Sequence, residues 1–298
     1  MLKDEVIEKY LEAGKIARKT LNFIYNEISS KLYIDVLEIA EKAEGYIVRN
    51  GGKPAFPCNV GFNAVAAHYT PLTKEVIEFR EGLLKIDVGV HIDGYIADTA
   101  ITIARGREYH EIARINKTIL EDVISMISPG KKLGEFGSFV ENRVAKLGYK
   151  VIRNLSGHLI DRYNLHAGKN FPNVREFFSQ SIKEGEVYAI EPFITFSYGS
   201  GEVYGGRIIT IYSLSKSKKL KDKKLDKFKK RILNTYGPLP FTQRWLEDEE
   251  NVEEIINQLY KKGVLRGYPV LIESNGAPVS QFEHTVIVTD SGPLITTA

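Results

Sequence analysis

Two aspartates pose the chemical question in this chain. They lie in the ribbon LLKIDVGVHIDGYIADTAITI, residues 83–103. Read at period two, Ile86, Val88, Val90 and Ile92 share one face, and Asp87, Gly89, His91 and Asp93 share the other. That alternation predicts a half-buried strand. Asp93-Gly94 then supplies what a type I′ turn requires, φ > 0 at both central positions. With these two in the turn, Ile92 pairs with Tyr95, Gly89 faces Asp98, and Asp87 becomes the diagonal neighbour of Asp98 on one face. Diagonal cross-strand positions lie roughly 7–8 Å apart, closer at the side chains. Two carboxylates so placed could hold cations between them. A longer, bulged turn shifts the register by one and removes this geometry. The alternative account of two strand aspartates is a ribbon with one face in water.

Further acids stand at strand positions that can turn inward. Residues 183–196, KEGEVYAIEPFITF, read as one strand with Val187, Ala189 and Glu191 on one face. VSQFEHTVIVTD alternates too, placing Gln281, Glu283 and Thr285 opposite Phe282, His284 and Val286. His284 therefore points away from Glu283 and is read as structural. His158 closes YKVIRNLSGH, which reads as a strand running into a turn. Carboxylates brought together repel and raise one another's pKa. Asp87, Asp98, Glu191 and Glu283 carry about −4 when ionised, and two divalent ions would neutralise them. Oxygen ligands with one imidazole suit Mn, Fe, Co or Zn. Two such ions ~3.5–4 Å apart generate a hydroxide nucleophile and polarise a scissile carbonyl.

The elements that must position these groups follow from pattern and punctuation. Residues 4–28 read as an amphipathic helix. A second helix starts after Asp35, a good N-cap, and stops at Asn50-Gly51-Gly52. Residues 51–73 are rich in Gly, Pro and Asn and read as an irregular loop carrying His68. After the ribbon, a helix runs from His110 to Ile127, and a shorter one closes at Gly148. RYNLHAGKNFPNV reads as another irregular loop, with His166 in it. EGLLKID and EGEVYAIE share a faint internal likeness. From Tyr212 the composition changes: SLSKSKKLKDKKLDKFKKRIL is strongly basic, and FTQRWL and NVEEIINQLYKKG read as short helices. The expected division is a catalytic body of residues 1–211 and 271–298 with an inserted helical unit of residues 212–270.

Composition narrows the class. The 298 residues, 43% hydrophobic and 27% charged, suit a soluble globular protein with a large core. A net charge of +3 does not imply a nucleic-acid partner, and a Lys-rich helix is usually a solvated face. The single cysteine, Cys58, excludes a disulfide framework and a thiolate zinc site within the chain. The opening MLKDEVIEKY is acidic where a signal peptide is basic and apolar, and no apolar run reaches the ~20 residues of a membrane span. The expectation is a cytoplasmic monomer with no membrane association.

The set FNAVAAHYTP, IDVGVHIDGYIADTA, SGHLIDRYNLHAG, YAIEPF and QFEHT, in that order, resembles the methionine aminopeptidases of type II in their archaeal form. The motifs span almost the whole chain. The resemblance implies the α/β pita-bread fold, with two pseudo-symmetric halves around a dinuclear metal site. It implies metal ligation by Asp87, Asp98, His158, Glu191 and Glu283, and substrate contacts from His68 and His166. The inserted block, PFTQRWL in particular, resembles the winged-helix-like insertion of type II. The implied reaction is release of the N-terminal methionine from nascent proteins and peptides with a small second residue. A metal-bridging hydroxide is the nucleophile, with Glu191 as general base and then acid. His166 donates to the oxyanion, His68 contacts the scissile nitrogen or the proton leaving it, and Phe56, Leu165 and Phe193, with His166, hold the methionine side chain. One departure is visible: Gly61 stands where the family usually has Ser, which bears on the shape of that pocket. A proline-specific relative and a non-catalytic relative are the rivals. The FNAVAAHYTP loop and the insertion oppose the first, and the complete ligand set opposes the second. The basic run leaves open a minor, transient contact with RNA or the ribosome.

Overall fold

The computed structural model describes residues 2–215 and 220–298. Part of the basic run, residues 216–219, lies outside the described residues. The chain opens with α1 (Asp4–Ser29), whose first turn carries Asp4 and Glu5, the charge sign a helix N-terminus favours. After β1 (Ile34–Asp35) comes α2 (Val36–Arg49). Asp35 caps it as expected, accepting from the backbone N–H of Leu37 and Glu38.

Residues 51–73 are largely not a loop. They form β2 (Lys53–Phe62) and β3 (Val65–Ala67), with β4 (Glu78–Phe79) beyond, paired to β1. β2 is the edge of a three-stranded sheet with β5 (Gly82–Ile92) and β6 (Tyr95–Arg105). Its register slips between Pro54 and Phe56 and between Phe56 and Asn59. Prolines are tolerated at such an edge and beside bulges, so Pro54 and Pro57 mimic a loop in composition alone. The β5–β6 register is the expected one: Ile92 faces Tyr95 and Gly89 faces Asp98. Asp93 and Gly94 have φ of 50° and 89°, as the turn demands. The strand is not half-wet, however. Lys85, Ile86, Val88, Gly89, Val90 and His91 are all buried. α1 and α2 cover one face in a core with Ile24, Ile39, Ile86 and Val88.

The second half repeats the theme of two helices on an antiparallel sheet. α3 (His110–Ser125) and α4 (Leu133–Lys146) pack over a core with Phe136, Tyr188, Ile194 and Val286. The strands are β7 (Tyr149–Val151), β8 (Ser156–Ile160), β9 (Asn170–Pro172), β10 (Val187–Ile190) and β11 (Phe193–Phe196). His158 is thus inside β8, not at a strand end. The segment 183–196 is not one strand: β10 and β11 belong to different sheets, and Glu191-Pro192 is the break. Buried Asn173 and Asn116 stabilise that break by donating to the carbonyls of Glu191 (2.9 Å) and Pro192 (3.0 Å).

β12 (Val203–Leu214) then runs out to α5 (Lys223–Tyr236), β13 (Phe241–Thr242), a 3-10 turn at Gln243–Leu246, and α6 (Val252–Lys261). FTQRWL is therefore a short strand and a 3-10 turn. These elements have a core of their own, including Phe228, Ile232, Phe241 and Leu259. β14 (Leu265–Glu273) returns beside β12, with β3 on its far side. β15 (Val279–Gln281), β16 (His284–Thr289) and β17 (Gly292–Ile295) complete the chain. The two halves are sewn together where β6 meets β15 and β16. Ala100 bridges Glu283. Thr99 Oγ1 donates to the Glu283 carbonyl (2.7 Å) and Thr102 Oγ1 to the Gln281 carbonyl (2.6 Å).

Candidate metal centre

That seam puts Asp98 and Glu283 side by side, and β5, β8 and the β10–β11 break bring up the rest. Asp87, Asp98, His158, Glu191 and Glu283 all line one cavity. Ligand atoms of Asp98, His158 and Glu283 lie within 4.8 Å of one another, the spacing a shared cation needs. His158 Nε2 stands 3.6 Å from both Asp98 Oδ2 and Glu191 Oε1, too far for a hydrogen bond. Gln281 Nε2 donates to Glu283 Oε2 at 3.2 Å and reaches Glu191 Oε2 at 3.4 Å.

The electrostatics of this cluster are unresolved by protein groups alone. Burial raises the carboxyls of Asp87, Glu191 and Glu283 well above the usual range, and the neighbouring Asp98 charge adds to it. Burial pushes Asp98 itself up to about 7. His158 is lowered to about 4, again chiefly by burial, so its imidazole is neutral at pH 7. Asp87 Oδ1 and Asp98 Oδ1 are buried with no hydrogen-bond partner, a costly state for a carboxylate oxygen. Orphaned oxygens converging beside a neutral imidazole fit divalent cations, whose charge inverts the local pKa order.

The remaining cavity wall comes from β2, β3, the segment after β8, β12, β14, β15 and the residue before β13. His68, at the end of β3, has a left-handed backbone (φ 63°), and the ring of Tyr268 meets it edge-on at 5.7 Å. His166 packs against His158, with ring centroids 4.2 Å apart. Burial, and then the neighbouring imidazole, holds His68 at about 4 and His166 at about 3. Phe56 and Leu165 also line the cavity. Gly89 is a necessity here: a Cβ on it would come 2.2 Å from the Phe56 ring. Phe193 corrects the expectation. It does not line the cavity but is buried with Ala66, Ile152, Val203 and Val279, because β11 turns its side chain into the core. Gly61 lies away from the cavity, and a Cβ there would come 2.6 Å from the Val65 carbonyl oxygen. Asn59, Ala67, Ile211, Pro240, Tyr268 and Gln281 are lining residues the motif reading did not single out. Of these, Ala67, Pro240 and Gln281 lie within FNAVAAHYTP, PFTQRWL and QFEHT, and Gln281 also shares a strand face with Glu283.

Fold and site together define a metal-dependent hydrolase: four acidic side chains and a neutral imidazole gathered in one partly apolar cavity. Residues 8–290 match the metallopeptidase family M24. The methionine aminopeptidase of Saccharolobus solfataricus is 44% identical, over 100% of this chain and 99% of that protein. Among solved structures, a thermophilic Arx1 superposes with a TM-score of 0.85 at 21% identity, covering 99% of this chain and 91% of its own. The methionine aminopeptidase of Thermotoga maritima superposes at 0.71 and 21% identity, covering 99% and 98%. The shared architecture is the pita-bread fold. The chain belongs to metallopeptidase family M24 and, within it, to the methionine aminopeptidases. Among the described residues no helix is long and apolar enough to cross a membrane.

Proposed function

We propose that this enzyme removes the N-terminal methionine from nascent proteins and peptides whose second residue is small. The observation that carries the reading is one cavity lined both by the five candidate ligands and by the apolar side chains of Phe56, Leu165, Ile211 and Pro240. Asp87, Asp98, His158, Glu191 and Glu283 are the groups that would hold divalent ions, two by their summed charge, of Co, Mn, Fe or Zn. Ions held there would supply Lewis acidity and deliver hydroxide from water at neutral pH. Glu191 lines the cavity with its Oε1 3.6 Å from His158 Nε2, a place from which its carboxylate would take the proton of the attacking water and pass it to the leaving amide nitrogen. His166 and His68 are neutral at pH 7. His166 donates an N–H toward the carbonyl oxygen as charge builds there, and His68 meets the scissile nitrogen. Phe56 and Leu165 receive the methionine side chain.

The catalytic body is assigned to residues 1–211 and 271–298 and the insertion to 212–270. We read the protein as a cytoplasmic monomer acting on nascent chains. Salt-sensitive retention on ribosomes would support a transient contact through the Lys-rich run, since phosphate contacts weaken steeply with salt. The deciding experiment compares Met-Ala-Ser, Met-Trp-Ser and an Xaa-Pro peptide with Mn- or Co-loaded enzyme. Rapid cleavage of the first alone is expected, and preference for Xaa-Pro would overturn the reading.

A further inference from the structure

A buried ion pair that none of the chemistry above uses shares a groove with Pro240, one of the residues that line the cavity. Glu44, on α2, meets Arg244, in the 3-10 turn after β13, 200 residues away. The guanidinium is bidentate: Nη1 donates to Glu44 Oε2 at 2.7 Å and Nη2 to Oε1 at 2.8 Å. Trp245 Nε1 also donates to Glu44 Oε2, at 2.7 Å. The Cys58 backbone N–H donates to Oε1 at 3.0 Å. Arg244 reaches further, through Nε to the Pro71 carbonyl (3.0 Å) and through Nη2 to Thr70 Oγ1 (3.2 Å). Thr70 is fully buried, and its N–H donates to Thr210 Oγ1 at 3.3 Å.

Each thread of this clasp ends next to a residue that lines the cavity. Cys58 lies between Phe56 and Asn59 on β2. Thr70 lies two residues beyond His68. Thr210 precedes Ile211. Arg244 follows Pro240 by four residues, and Pro240 lines both the cavity and a second groove, which Glu44, Arg244 and Trp245 also line. Glu44 and Arg244 themselves do not line the cavity. We propose that Glu44 and Arg244 are positioning residues: they fix Phe56, Ile211 and Pro240 relative to His68 and so determine which first side chain the enzyme accepts. The proposal rests on the reading of this cavity as the methionine site. A planar fork that satisfies carboxylate, hydroxyl and carbonyl acceptors at once locks geometry in a way a lysine cannot. A displaced wall is felt strongly, since pocket misfits of one methylene change discrimination by roughly 10–200-fold.

The test uses the full-length, metal-loaded enzyme and three variants, Glu44→Gln, Arg244→Lys and Thr70→Val. For each, kcat and KM are measured on Met-Ala-Ser and Leu-Ala-Ser, and metal affinity by calorimetry. Emission of Trp245, the single tryptophan, reports whether the clasp is intact. The expected result is unchanged metal affinity, shifted Trp245 emission, and a KM for Met-Ala-Ser about ten-fold higher with kcat little changed. The Met/Leu selectivity ratio should narrow by about the same factor. Thr70→Val cuts one thread and leaves the ion pair, so it should show the same narrowing on a smaller scale. Variants that melt earlier but keep the wild-type Met/Leu ratio would make the clasp a stability feature only and overturn the proposal. Failure of the wild type to cleave Met-Ala-Ser at all would instead overturn the functional reading beneath it.

Discussion

Stripping the metal should reverse the pH response of this protein's stability. Asp87, Asp98, Glu191 and Glu283 all have carboxyl pKa values raised by burial, Asp98 to about 7. A carboxyl raised on folding contributes stability that is in place below its unfolded value near 4 and is lost as pH rises through the folded value. Histidines oppose this at low pH. Burial lowers His68, His91, His158 and His284 to about 4 and His166 to about 3. Their contribution is complete above 6.5 and lost as pH falls toward those values. Between about pH 4 and 6.5 the two sets nearly cancel. Above 7 the contest is between Asp87, Glu191 and Glu283, all raised well above the usual carboxylate range, and Lys85, which burial lowers from 10.5 to about 7. Each carboxyl that keeps its proton there lowers stability by about 1.4 kcal/mol per pH unit, or about 3 °C in a chain this size. Bound divalent ions hold the same carboxylates ionised, so their affinity rises with pH and they add about 2.7 kcal/mol at a hundred-fold excess over Kd. Calorimetry of chelator-dialysed protein at pH 6.5, 7, 7.5 and 8, with and without Mn²⁺ or Co²⁺, should therefore show the metal-free Tm falling and the gap between the two forms widening. A metal-free Tm that holds steady or rises over that range, or a gap independent of pH, would refute the reasoning.

Glu191→Ala removes both a ligating charge and the proposed proton carrier, so turnover should vanish and metal loading weaken; full activity in a metal-loaded sample would exclude the role. His166→Ala should keep its metal, read by elemental analysis, but lose about 10²–10³ in kcat, the typical cost of one oxyanion donor. Loss of metal in that variant would mean that His166 had been misassigned. Gly61→Ser must fit a Cβ at 2.6 Å from the Val65 carbonyl oxygen and 3.1 Å from Lys85 Cε. It should destabilise by about 1–3 kcal/mol, the usual cost of overpacking, read as a lower Tm with the Met/Leu selectivity unaltered, because Gly61 is not in the cavity wall.

What was legible in the chain was what local chemistry decides. Asp93-Gly94 fixes a two-residue turn, the turn fixes the register, and the register places Asp98 opposite Gly89 and diagonal to Asp87. Asp35 caps α2 for the same kind of reason. Sequence pattern and structure part where distant groups intervene. Glu191 sits at a break between sheets because Asn116 and Asn173, far away in sequence, satisfy the carbonyls there. No period-two pattern can report that. Pro54 and Pro57 looked like loop residues because composition does not say which strand is an edge. Phe193 followed the expected alternation but landed beyond the break, where its face is the core. Nothing in the sequence pairs Glu44 with Arg244.

The distribution of the proposed ligands accounts for why such a site would need both halves of the chain. Asp87 and Asp98 come from one hairpin of the first half. His158, Glu191 and Glu283 come from the second half, and the backbone seam between Ala100 and Glu283 holds the two in register. Each half alone would carry an incomplete ligand set, and repulsion among the acids opposes their close approach. Cations bound between them turn that repulsion into attraction across the seam. Metal binding and the association of the halves should therefore be one coupled equilibrium, and hydrogen exchange at the seam N–H groups of Ala100 and Glu283 should slow when metal is added. Exchange that slows only within the β5–β6 hairpin would show that the halves close without help from the ions.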